Sequence, residues 1–176
     1  MSDVLQLFSL SFVVFTLLLF LRAALHKAFD LLEFQGFVAD YDLLPEALVK
    51  PASYLLITLE LLTVALLLFS ASRSLGLLLA AALLCLYGAA ILLNLRRGHT
   101  RIECGCGGTP QLLNRNLLLR NAVLVVLALL PVAITPHASG SIDVAVAVLA
   151  GVCLWVLYAL LEQINATHAA LTSKRV

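Results

Sequence analysis

The chain contains five apolar runs on the scale of a lipid bilayer: Val4 to Leu21 with a continuation towards Phe29, Tyr54 to Phe69, Leu75 to Leu95, Leu117 to Ile134 and Val144 to Leu161. A bilayer core takes about 20 residues of helix to cross, so runs of this length leave few folds open. Inside hydrocarbon every backbone N–H and C=O must find a partner within the protein, which only helices and closed barrels achieve. The runs are continuous in Leu, Ala and Val and lack the apolar–polar alternation of a barrel strand. They predict an all-α membrane protein, a bundle of four to five transmembrane helices with spans at about residues 4–29, 52–70, 75–95, 117–134 and 142–162.

Composition agrees with lipid as the solvent. Hydrophobic residues make up 62% of the chain and charged residues 12%, with a mean hydropathy of +1.07. A soluble domain is roughly half apolar and a quarter charged. The 176 residues show no internal repeat, so the division is a single integral membrane domain, 1–176. The first run reads as a retained span and not a cleaved signal, because no basic residue precedes it and no small-x-small cleavage site follows. A net charge of +1 argues for neither nucleic acid nor an acidic partner. Pro45 and Pro51 frame the entry to the second span, and the short Ser70 to Ser74 link makes the second and third spans an antiparallel hairpin.

Two polar stretches, Arg22 to Lys50 and Arg96 to Asn116, should hold the chemistry. The loop 96–116 carries Arg101-Ile-Glu-Cys104-Gly105-Cys106-Gly-Gly108 between the third and fourth spans. Two thiols one glycine apart can close a small disulfide ring, for which glycine supplies the unusual backbone angles, or can hold one soft metal. Arg96, Arg97, His99 and Arg101 favour the thiolate, the attacking species in thiol exchange. A permanent disulfide or two inert thiols is the competing reading. A soft-metal site of Cys104, Cys106 and His99 is another, although a closed zinc site needs four ligands. Cys85 and Cys153 fall inside apolar spans and read as small hydrophobes.

Glu60 stands near the middle of the second span, where a carboxylate costs about 3 kcal/mol unless it is paired, protonated or facing a polar cavity. It either hydrogen-bonds Thr or Tyr between helices or serves a proton relay or a quinone headgroup. Arg22, His26 and Asp30 recur every fourth residue at the end of the first span and share a helix face, with Lys27 beside them. Arg22 and Lys27 read equally as snorkelling cations, whereas His26 beside an acid can shuttle protons near neutral pH. Arg120 and Asn121 open the fourth span, where Arg120 would anchor the helix or hold the loop.

His26-Lys27, Tyr41-x-Leu-Leu-Pro45, Glu60, Cys104-Gly-Cys-x-Gly108 and Leu119-Arg-Asn121 together resemble the methylamine-utilisation MauE family and the wider DoxX-like group of redox-associated membrane proteins. The resemblance spans residues from about 15 to 130, and its most specific part is the Cys-Gly-Cys loop followed by Leu-Arg-Asn. Where the family loop usually reads Cys-Gly-Cys-Phe-Gly, this chain has Gly107 in place of the aromatic. The fifth span exceeds the four-helix core of DoxX-like proteins.

The resemblance implies a bacterial inner-membrane component of a thiol/disulfide relay that supports disulfide formation or maturation of an exported redox enzyme. The client would be of the methylamine dehydrogenase type, and a thioredoxin-like partner is implied. In this reading Cys104 and Cys106 are the reactive pair, supported by Gly105, Gly108, Arg101, Arg120 and Asn121. Glu60, His26 and Arg22 would receive a quinone headgroup or move protons, which would make the chain a quinone-linked thiol–disulfide oxidoreductase. A soft-metal carrier and a non-catalytic assembly factor are the alternatives, and a homo-oligomer is compatible with each. Ten of the eleven Lys and Arg residues fall on the side of the Cys104 loop, which the positive-inside rule makes cytoplasmic. Disulfide formation belongs on the other side.

Overall fold

The computed structural model describes residues 2–99, 113–134 and 140–173, and the side-chain surroundings of 4–99, 113–134, 140 and 142–167. Its elements are α1 (Ser2–Phe29), α2 (Leu31–Asp40), α3 (Glu46–Leu68), α4 (Arg73–Arg97), α5 (Arg115–Leu129) with a 3-10 turn at Leu130–Ala133, and α6 (Ser141–Ser173). Five stretches are long and apolar enough to cross a membrane: Val4–Phe29, Glu46–Leu68, Arg73–Arg97, Arg115–Ala133 and Ile142–Thr167. The protein is thus an all-helical, multi-pass membrane protein. Helix α2 has ten residues and extends only about 15 Å, too short to cross.

Helix α3 begins at Glu46, so Pro51 lies inside it instead of marking its entry, and Pro45 takes the N-cap position with φ −57° and ψ 146°. A proline so close to the start removes a single ladder bond, near the end of the span. Ser53 donates its hydroxyl to the Val49 carbonyl at 2.8 Å in the same stretch. Gly98 ends α4 with φ +79°, a left-handed conformation that a side chain would strain. Asp30, with φ −125° and ψ 61°, breaks the chain between α1 and α2.

Helices α1, α3, α4 and α5 pack as neighbours in that order, and α6 lies along α1. The core between them is built from Phe15, Phe20, Val64, Ala80, Leu84 and Leu124. Helix α6 approaches α1 closely at Gly151, where an added Cβ would lie 2.6 Å from the Val14 Cβ and 2.8 Å from the Ser11 carbonyl oxygen. Packing between helices in lipid relies on such small residues because no hydrophobic force draws helices together there. Since successive spans alternate in direction, the ends of α1, α4 and α6 and the starts of α3 and α5 gather at one end of the bundle. The loop between α4 and α5 joins that end.

Candidate functional site

Lys27, in the last turn of α1, reaches Glu60 in the middle stretch of α3. Lys27 Nζ donates to Glu60 Oε1 and, at 3.3 Å, to the Tyr87 hydroxyl of α4. The Tyr87 hydroxyl donates to the same Glu60 oxygen at 2.6 Å. The ammonium also lies 4.7 Å from the centre of the Tyr87 ring and 5.1 Å from that of Phe34, a cation–π enclosure between α2 and α4. Lys27 is 2% exposed and Glu60 0%, so each charge depends on the other for compensation. Helix phase explains why Lys27 is inside: Phe20, Ala24 and Lys27 follow the i, i+4, i+7 spacing of one face, and all three are buried.

A second ionic cluster joins three helices. Glu162 of α6 accepts from Arg22 of α1 at 3.2 Å and from Arg120 of α5 at 2.9 Å. Tyr158, one turn before Glu162, hydrogen-bonds it and meets the Phe15 ring edge-on with centroids 5.8 Å apart. The two clusters share the walls of a cavity of about 40 Å³ lined by Arg22, Glu60, Tyr87, Arg120, Asn121 and Glu162, among others. Among the described residues, Glu60 Oε2 and Asn121 Nδ2 are buried without a hydrogen-bond partner.

A larger cavity of about 340 Å³ lies between α2, α3 and α4, and Tyr87 lines it too. Its walls are apolar and include Phe34, Phe37, Tyr41, Leu56 and Ala90. Tyr41 lies between spans; burial pushes its hydroxyl pKa up to about 12, against a smaller opposing effect of the Arg120 charge. The hydroxyl therefore stays neutral throughout the physiological range.

Of the candidate residues, Arg22, Glu60, Arg120 and Asn121 come together around the small cavity. His26 does not join them: it is exposed, one position out of phase with the buried face that carries Lys27. His99 follows the end of α4, with Nδ1 3.3 Å from Asn94 Oδ1 and its backbone N–H donating to the Asn94 carbonyl at 3.0 Å. Cys104, Gly105, Cys106, Gly108 and Arg101 lie outside the described residues. Cys85 and Cys153 are free and exposed on apolar helix surfaces. The Glu60 partners Lys27 and Tyr87, and Glu162, were not singled out as site residues by the sequence. Lys27 was legible from its phase with Phe20 and Ala24, whereas Tyr87 carries no sequence signal that separates it from any aromatic in a span.

The family model for methylamine utilisation protein MauE matches residues 5–134. Curated relatives named methylamine utilization protein MauE match over most of their length. That of Paracoccus versutus is 37% identical over 144 residues, which is 80% of this chain and 77% of the relative. The Paracoccus denitrificans protein is 32% identical over 173 residues, covering 92% of this chain and 89% of the relative. The Methylorubrum extorquens protein is 38% identical over 152 residues, covering 82% and 80% respectively. No solved structure matches the chain. With the family model covering all of α1 to α5 but the first few residues, and the relatives reaching beyond it, this chain belongs to the MauE family of methylamine-utilisation proteins.

Proposed function

We propose that this protein is the membrane component of a thiol/disulfide relay that supports maturation of an exported redox enzyme subunit used in methylamine breakdown. Cys104 and Cys106 would cycle between dithiol and disulfide, exchanging with a thioredoxin-like partner through a mixed disulfide. Family membership, together with the Cys104-Gly105-Cys106 segment in the sequence between α4 and α5, carries this reading. Arg96, Arg97 and Arg101 flank the thiols in sequence and favour the thiolate that starts each exchange. The membrane is taken to be the bacterial inner membrane.

A quinone would take up the two electrons and two protons released as the dithiol closes to the disulfide, or the quinol would return them to the disulfide. The cavity of about 40 Å³ beside Glu60 and Arg22 does not fit its ring, because sites for such ligands run to some 300 Å³ or more. The apolar cavity of about 340 Å³ does have that room, and Tyr87 stands between the two. In this arrangement Phe34, Phe37 and Tyr41 would hold the ring, and Tyr87 would link it to Glu60 and Lys27. Glu60 and Lys27 would be the groups through which protons pass to or from the ring; His26 lines neither cavity.

Replacing Cys106 with Ser leaves Cys104 as a lone attacking thiol and is expected to trap a covalent complex with the partner, visible on a non-reducing gel. Normal client maturation in a Cys104→Ser, Cys106→Ser strain would overturn the relay and leave a non-catalytic assembly factor. A stoichiometric soft metal lost with those substitutions would instead favour a metal carrier using Cys104, Cys106 and His99.

A further inference from the structure

We propose that the cavity between Glu60 and Glu162 binds a short file of water molecules, which makes Glu60 a proton-exchanging carboxyl open to the loop end of the bundle and closed to the other. Two unpartnered polar atoms carry the inference. Glu60 Oε2, on a residue 0% exposed, and Asn121 Nδ2, on one 3% exposed, are both buried without a partner among the described residues. Glu60 and Asn121 both line the same cavity, one offering an acceptor and the other a donor. An apolar ligand satisfies neither and an anion would be repelled by the carboxylate, whereas water both donates and accepts.

Size agrees with chemistry. A cavity of about 40 Å³ holds a few waters, since each needs roughly 10–15 Å³ by this measure and two to four polar partners. Without water both buried groups would forgo the hydrogen bonds they make in solution, the carboxylate most of all.

The file leads outward in one direction. From Glu60 it reaches the Arg22–Glu162–Arg120 cluster, whose three residues lie in the loop-end halves of α1, α6 and α5. Towards the opposite end the hydroxyls are spent on their own helices. Thr63 donates to the Leu59 carbonyl, Thr16 to Phe12 and Ser11 to Leu7, each at 2.7–2.8 Å. Beyond them the core is Val13, Leu67 and Leu77. The groups facing Glu60 are Lys27 and Arg22 from α1, Tyr87 from α4, Arg120 from α5, and Tyr158 and Glu162 from α6. This inference does not depend on the cysteines cycling.

The test uses the full chain in lipid nanodiscs. Infrared difference spectra after a pH step, with the carboxyl band assigned by Glu60→Gln, are expected to show Glu60 exchanging its proton promptly. Asn121→Leu, which fills the cavity and removes the amide, should slow that exchange several-fold. In vesicles of single orientation, an external pH step should reach Glu60 promptly only when the loop end faces outward. No exchange in the native protein, an unchanged rate in Asn121→Leu or an equal response from both sides overturns the proposal. Should Asn121→Leu fail to fold, radiolytic footprinting of the native protein in 18O water decides. Oxygen label at Tyr87 and Tyr158 with slow bound-water exchange supports the file, and two unlabelled tyrosines refute it. Because both readouts use resting protein, a failure of the relay leaves them untouched.

Discussion

Lys27 and Glu60 form a coupled pair in which neither charge is tolerable alone. Removing one partner of a buried pair typically costs about 3–5 kcal/mol, while replacing both with apolar groups of similar volume is often neutral. Lys27→Ala and Glu60→Ala should therefore each lower the denaturant midpoint in detergent substantially, and Lys27→Met combined with Glu60→Leu should recover most of the loss. Additive losses in the double variant would show the pair to be uncoupled. Tyr41 makes a prediction on the pH axis. Its folded pKa of about 12 exceeds the ordinary value of 10.0, so the folded state favours the neutral hydroxyl. That contribution to stability is fully present below pH 10 and is lost as pH rises towards 12. Tyr41→Phe, followed by thermal unfolding across that range, is expected to lose part of the decline seen in the native chain.

Helices α1 and α6 depend on a different feature, the absence of a side chain at Gly151. A Cβ there would meet Val14 at 2.6 Å and the Ser11 backbone at 2.8 Å, and backbone cannot give way as a flexible side-chain tip can. Gly151→Val is expected to cost about 1–3 kcal/mol as an overpacked contact and to push α6 away from α1. Because Glu162 rides on α6 and ties Arg22 to Arg120, the same variant should loosen the ionic cluster. Faster proteolysis within α6, beside a lowered unfolding temperature, would report both. An unchanged protein would mean that α1 and α6 repack without cost. The element boundaries carry a related lesson: α3 starts before Pro51 because its first turn lies at the end of the span, where a missing N–H costs little.

Across the whole molecule, the distribution of basic residues bears on which side of the membrane the loop end faces. Of the ten basic residues on that side, Arg22, Lys27 and Arg120 are held in ion pairs with Glu60 and Glu162. The seven others still outweigh Arg73 alone on the opposite side. Charge bias therefore predicts a cytoplasmic loop. A variant keeping Cys104 as its sole cysteine should resist an impermeant thiol reagent in intact cells and react after permeabilisation. Labelling in intact cells would put the loop outside, with the relay running in the oxidative direction.

The helical bundle was legible in the sequence because lipid leaves the backbone so few options: an apolar run of sufficient length, without strand alternation, has to be a helix. The polarity of Glu60 within such a run, and of Arg22, Arg120 and Asn121 at span ends, was legible for the same reason, since each stands out against hydrocarbon. Which polar groups meet was not. The Lys27–Glu60–Tyr87 contact joins residues 33 and 27 positions apart, and Arg22 meets Glu162 across 140. Periodicity gives the face that a residue occupies but not the helix it faces. Helix phase turns Lys27 inward and His26 out, but only the packing of α1 against α3 and α4 decided that Lys27 meets Glu60 and Tyr87.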